Sequence, residues 1–190
     1  AVEKAADIVE DAGSILKGDI AGGRTTLAAL RKEFPNAAVV LNLLGSQQMA
    51  ERQFAAARES FAKAASLAPN DFEALVGLME TDLATKNPQA AIDRVEATMK
   101  RVTPSAALLA LAARAYASTG KMDRAEELLR QAIAAEPARL QAYSMLAGLY
   151  VSQRRIGDAQ AQYRQLLTMN PRSVPNQTML GMLLDFEKKP

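Results

Sequence analysis

Alanine recurs at a strict spacing of 34 residues, at Ala57, Ala91, Ala125 and Ala159. A proline column runs beside it at nearly the same period, at Pro35, Pro69, Pro104, Pro137 and Pro171. Self-similarity at this period marks an array of helical repeats. In such an array each unit packs only on its neighbours, and the array typically presents a surface to a partner without doing chemistry itself.

Composition narrows the function classes. The 190 residues are 49% apolar, ample for a sizeable core, and 23% charged, an ordinary soluble fraction. The net charge of +2 is too small to argue for nucleic acid. Without Cys there is no thiol nucleophile, disulfide or thiolate metal site, and without His the commonest general base and zinc ligand is missing. No cofactor is expected. No run approaches 18 consecutive apolar residues, so no membrane-spanning helix is expected. The start at Ala1, without Met and without a basic-then-apolar leader, suggests a processed protein or a piece of a longer one. A chain without Cys suits cytoplasm and periplasm equally.

The repeat can be followed column by column. From Ala38 the columns fall at Leu41, Leu44, Gly45, Gln48, Ala57, Phe61, Ala64 and Pro69. From Leu140 they fall at Tyr143, Leu146, Ala147, Tyr150, Ala159, Tyr163, Leu166 and Pro171. The unit from Ala106 gives Leu109, Ala112, Ala113, Tyr116, Ala125, Leu129, Ala132 and Pro137. The unit from Phe72 gives Leu75, Leu78, Met79, Asp82, Ala91, Val95 and Thr98, with its proline displaced by one to Pro104. The first columns lie three or four apart and form one helical stripe. Gly or Ala beside the Leu lets the two helices of a unit approach. The later Ala sits at their crossing, where a larger side chain overpacks. Phe61 or Tyr163 fills the space toward the next unit, and proline stops the second helix. A turn signal with an apolar third residue recurs between helices at Gly18-Asp19-Ile20, Arg52-Gln53-Phe54, Lys86-Asn87-Pro88, Gly120-Lys121-Met122 and Arg154-Arg155-Ile156. Pro88 there begins a helix. The pattern predicts helices over 37–51 and 55–68, 71–85 and 88–102, 105–119 and 122–135, 139–153 and 156–169.

These columns resemble the tetratricopeptide repeat pattern, W-x2-L-G-x2-Y, then A-x3-F, then P. The chain is similar to bacterial arrays of this family rich in Ala and Arg. The resemblance implies an all-α fold, a right-handed α-α superhelix of antiparallel helix pairs, with 1–190 as a single array. The full units are 38–71, 72–105, 106–139 and 140–173. Residues 4–37 form a degenerate unit: Gly23, Leu27, Leu30 and Pro35 keep the columns, while Asp7, Glu10 and Asp11 occupy core positions of a helix over 2–16. Residues 174–188 form a terminal helix or a truncated sixth unit, in which Leu180, Gly181 and Leu184 match the columns.

Local patterns that suggest chemistry have simpler accounts. Gly18 to Thr25 nearly matches a phosphate-binding loop, but Arg24 replaces the lysine and the preceding segment reads as helix. Ser60-Phe-Ala-Lys63 fits S-x-x-K without the companion motifs of penicillin-recognising enzymes. Asp123, Glu126 and Glu127 interleave with Arg124 and Arg130, as on a solvated helix face. The tyrosines at 116, 143, 150 and 163 occupy packing columns instead of forming a base-stacking platform.

In the family the first helix of each unit lines a concave groove. Carried over, that groove comprises Val39, Asn42, Leu43, Ser46 and Met49; Glu73, Val76, Gly77, Glu80 and Leu83; Ala107, Ala110, Leu111, Arg114 and Ser118; and Gln141, Ser144, Met145, Gly148 and Val151. Asn42, Ser46, Met49, Glu73, Glu80, Arg114, Gln141, Ser144 and Met145 are its candidate partner-binding residues, and Met49 and Met145 offer adaptable contacts. The best-known family groove clamps a C-terminal carboxylate with Lys, Asn and Arg from three successive units. No three consecutive units here supply that set, so a chaperone tail is not expected. The resemblance implies a non-catalytic scaffold for a protein or peptide partner. The alternative is a docking or regulatory segment of a larger envelope, polysaccharide-assembly, secretion or glycosyltransferase protein.

Overall fold

The computed structural model describes residues 20–187, and no strand occurs among them. The helix expected over 2–16 and the turn at Gly18 lie outside the described residues. The described helices are α1 (Ile20–Glu33), α2 (Ala38–Ala50), α3 (Phe54–Leu67), α4 (Phe72–Ala84), α5 (Pro88–Met99), α6 (Ala106–Ala117), α7 (Met122–Ala135), α8 (Leu140–Ser152), α9 (Ile156–Met169) and α10 (Val174–Glu187). From α2 to α9 they match the predicted spans to within two residues at each end, except that α5 ends at Met99, short of 102. The unit whose proline slips to Pro104 thus has a longer connection to the next helix. Pro88 begins α5, as its missing N–H allows.

The chain falls into two compact units, Ala1–Arg94 and Val95–Pro190, divided within α5. In the first, Leu27 and Leu30 of α1 bury against Val40 of α2. Leu41, Ala64 and Ala74 join α2, α3 and α4, and Ala57, Phe61 and Leu78 form a neighbouring cluster. The Phe61 ring explains two glycines at once. A Cβ on Gly45 would come within 2.7 Å of the ring, and one on Gly77 closer still. Gly45 belongs to the same repeat as Phe61 and Gly77 to the next, so one aromatic ring locks both joints. In the second unit Leu128, Leu129, Ala132, Leu146, Ala147, Tyr150 and Leu166 make the core. All four crossing alanines are buried, and Tyr116, Tyr143, Tyr150 and Tyr163 are buried in their packing columns.

The turns between paired helices share one design. Arg52, Lys86, Gly120 and Arg154 hold left-handed backbone, with φ of 61°, 58°, 77° and 58°. They are spaced by 34 residues. At each, the N–H of the next residue returns to the carbonyl five back, as Gln53 to Gln48 (2.8 Å), Asn87 to Asp82 (2.8 Å), Lys121 to Tyr116 (3.2 Å) and Arg155 to Tyr150 (2.9 Å). The left-handed residue itself donates three back, as Arg52 to Met49 at 3.0 Å. This is the Schellman closure, which satisfies carbonyls that the helix end orphans.

Candidate functional site

The first helices of the repeats (α2, α4, α6 and α8) carry the candidate partner-binding residues, and packing sorts those residues into two groups. In the first unit Ser46, Glu73 and Glu80 are exposed, while Val76 and Leu83 are half-buried between them. Val39 and Leu43 are half-buried against the cluster that α1 makes with Val40. Met49 is half-buried beside the Phe61 cluster, and its sulfur accepts from the Thr81 hydroxyl at 3.2 Å. In the second unit Arg114, Ser118, Gln141, Ser144 and Gly148 are exposed, with Ala107, Met145 and Val151 half-buried.

Four expected groove positions are closed. Gly77 lies under the Phe61 ring, and Ala110 and Leu111 are core residues of α6. Asn42 is the instructive case, for it is only 4% exposed. Its Nδ2 donates to Asp71 Oδ2 at 2.6 Å. Asp71 caps α4, where its Oδ1 accepts from Glu73 N at 2.9 Å and Ala74 N at 3.4 Å. Asn42 therefore orients a helix cap of the following repeat instead of facing solvent. Its Oδ1 is buried without a protein partner.

Polar contacts that the sequence pattern missed hold successive repeats together. Asp82 is fully buried and accepts from Arg58 of α3 and from Arg94 of α5, the latter at 3.2 Å. Its column is otherwise aromatic or amide (Gln48, Tyr116 and Tyr150). In the second unit Tyr116 donates to Glu96. Tyr150 donates to Glu126 at 2.9 Å and accepts from Arg130 at 2.9 Å. Arg155 donates to Glu126 at 2.5 Å and stacks 4.3 Å from the Tyr150 ring centroid. Arg58 bonding Asp82 and Glu126 bonding Tyr150 span the same 24 residues, at equivalent positions two repeats apart. The joint keeps its place while its charges are exchanged. Burial opposes ionisation of Glu126, yet hydrogen bonds from Arg155, Tyr150 and Arg130 outweigh it and hold the carboxyl below its usual value. The sequence places Glu126 on a solvated face, but its side chain is only 15% exposed because Tyr150 of α8 and Arg155 of the turn before α9 reach over it. Glu127 does remain exposed, in an ion pair with Arg124.

The motifs that hinted at chemistry resolve into structure. The described part of the near phosphate loop is helix, and Arg24 pairs with Glu51 at 2.7 Å. Gly18 and Asp19 lie outside the described residues. Ser60 is buried and donates to Gln48 at 2.7 Å. Among the described residues no cluster of acidic, His or Cys side chains is suited to hold a metal. No described helix is long and apolar enough to cross a membrane.

Comparison with known proteins places this architecture. A thermophilic tetratricopeptide protein of Thermus thermophilus, TTC0263, superposes with a TM-score of 0.82 at 22% identity, covering 95% of this chain and 98% of its own. PilW, described as a widely conserved type IV pilus biogenesis factor, superposes at 0.73 with 18% identity, covering 89% of this chain and 79% of its own. The pilF protein of Pseudomonas aeruginosa gives 0.71 at 16% identity, over 96% and 85%. At these identities the likeness is one of fold, an all-α helical repeat of the tetratricopeptide solenoid kind. No curated protein matches by sequence. A family model described as Rv1893-like matches residues 1–29. A model described as tetratricopeptide repeat matches residues 48–115 and again 116–181, most of the chain. The chain belongs to the tetratricopeptide repeat family.

Proposed function

We propose that the chain is a non-catalytic protein-interaction scaffold that holds an extended or helical segment of a partner protein against the inner faces of its first helices. One observation carries this reading. On these helices the column residues are consumed by packing, while a strip of polar, small and half-buried apolar side chains stays open. Ser46, Glu73, Glu80 and Val76 form it in the first unit, and Arg114, Gln141, Ser144 and Met145 in the second. Such a strip offers apolar contact flanked by polar groups, which suits a peptide or an amphipathic helix. Asn42 leaves the set of contact residues. On this reading 1–190 is one array, with no nucleic acid, cofactor or carboxylate-clamp ligand.

A second reading is favoured by the likeness to a type IV pilus biogenesis factor. On it, the same scaffold serves as a docking segment in an envelope or secretion assembly.

Photo-crosslinking separates inner from outer faces. A benzophenone amino acid at Ser46 or Ser144 should trap a partner in the source cells, and one at Lys63 or Gln131, exposed on second helices, should not. Trapping from the outer positions alone would place the working surface elsewhere.

A further inference from the structure

Arg52 and Lys86 close the α2–α3 and α4–α5 turns of the first unit with φ of 61° and 58°, where glycine would sit without strain. The chain does use glycine in this series, at Gly120. Long cations at the other positions therefore lower stability, and no polar contact among the described residues offsets that loss. Both side chains are exposed, and neither has a polar partner there. The acid beside Arg52 is already engaged: the Glu51 carboxylate accepts from Arg24 at 2.7 Å, Gln47 at 2.9 Å and Gln53 at 3.0 Å. The acid one turn before Lys86 is Asp82, fully buried beneath Arg58 and Arg94. The two turns lie side by side, because Arg58, near the start of α3, bonds Asp82 in the last turn of α4. Arg58 is 42% exposed, so its guanidinium keeps donors facing water. The edge thus presents cations whose neighbouring acids are consumed within the chain.

We propose that this turn edge of the first unit docks an acidic segment of a partner protein, with Arg52 and Lys86 as its cations and the water-facing donors of Arg58 beside them. Arginine offers a carboxylate a planar fork of donors, and lysine a mobile point charge. A chain of net charge +2 lacks the long basic track that a nucleic acid or an anionic membrane requires. The exposed acids Glu59 and Asp93, further along α3 and α5, would also repel an extended polyanion. A short acidic cluster can meet the cations without reaching those acids. The second unit does not repeat this surface, since Lys121 lies over the Tyr116 ring and Arg155 is held by Glu126 and Asp158. Neither Arg52 nor Lys86 belongs to the inner strips, so the proposal goes beyond the groove reading and does not rest on it.

The probe is a short fluorescent peptide of repeated Glu-Glu-Ser, with a Gln-Gln-Ser counterpart, titrated against the full chain by anisotropy at low salt. Saturable binding of the acidic peptide alone is expected, weakening as salt is added. The decisive variant combines Arg52→Gly with Lys86→Gly. It should raise the unfolding midpoint, because glycine relieves the backbone. It should nonetheless weaken binding by about fivefold or more, as two exposed charge contacts are lost. Arg52→Asn with Lys86→Asn, which also tolerates left-handed backbone, should weaken binding in the same way. Lys32→Gln with Lys63→Gln removes the same charge from exposed positions elsewhere and should leave binding nearly unchanged. Absence of saturable binding, or an equal loss in the control pair, would overturn the site. Tighter binding of single-stranded DNA or of phosphatidylserine vesicles, lost in the same glycine variant, would overturn the acidic segment in favour of that polyanion.

Discussion

Three long cations hold left-handed backbone at turns where a glycine would sit without strain. Arg52, Lys86 and Arg154 are exposed, with positive φ, while the third turn of the series uses Gly120. Left-handed backbone costs an L-residue on the order of 1 kcal/mol. Arg52→Gly, Lys86→Gly and Arg154→Gly should each therefore raise stability by about 0.5–1 kcal/mol, and Gly120→Ala should lower it by about 1 kcal/mol. Denaturant midpoints at constant m-value check this. The glycines within helices behave in the other sense. Gly45→Ala and Gly77→Ala gain helix propensity but drive a methyl into the Phe61 ring, and overpacking of about 1–3 kcal/mol should win. Combining either with Phe61→Leu, which replaces the ring with a smaller side chain, should return part of the loss. On an exposed groove Asn42→Ala would change stability by no more than about 0.5 kcal/mol. Because Asn42 is buried and holds the cap of α4, it should cost about 1–2 kcal/mol.

Between elements, the polar joints decide which substitutions hurt. Asp82 is fully buried, whereas Arg58 and Arg94 remain 42% and 30% exposed at their side chains. Removing the acid leaves two cations that water can reach. Removing both arginines strands a buried carboxylate, which costs about 3–5 kcal/mol. Thermal unfolding should therefore rank the Arg58→Ala, Arg94→Ala double variant well below Asp82→Ala. Glu126 gives a pH signature. Its folded-state carboxyl titrates below its unfolded one, so its stabilisation is present above the ordinary glutamate range, about pH 4.3. It is lost as the pH falls through the lowered folded value. Glu126→Gln should cost about 1–2 kcal/mol at neutral pH. The gap between wild type and variant should close as acid melts are extended below about pH 4. A gap independent of pH would show that the charge of Glu126 contributes nothing.

Across the whole molecule, what could be read in advance was what depends on a single repeat. The helix spans, the crossing alanines and the Phe61 position follow from columns within 34 residues, and the structure bears them out. The errors at Asn42, Gly77, Ala110 and Leu111 arose where a neighbouring helix decides which flank of a first helix is open, and spacing alone carries no record of that. The joints were missed because Asp82 stands in a column that otherwise holds an amide or a tyrosine, and the column pattern alone does not say what an acid there would meet. The available signal was the pair Arg58 and Arg94, each placed to meet that column from the helices on either side. Helix α10 follows the same logic. Deleting 174–190 uncovers Gln160 and the α9 surface beneath Leu183. If a few hundred Å2 of apolar area is uncovered, at about 25 cal/mol per Å2 the loss is several kcal/mol. The truncated chain should melt lower, with fraying confined to the α8–α9 repeat, as calorimetry with hydrogen exchange would show.

The central claim is that one register separates buried crossings from a presented face, and a matched pair of leucines tests it. Ala125 lies at a crossing, and Ser144 lies open on the inner strip. Urea unfolding of Ala125→Leu and Ser144→Leu compares the same new side chain in both settings. The account predicts a loss of about 1–3 kcal/mol at Ala125 and a change within about 0.5 kcal/mol at Ser144. Equal losses, or a silent Ala125→Leu beside a damaging Ser144→Leu, would contradict it.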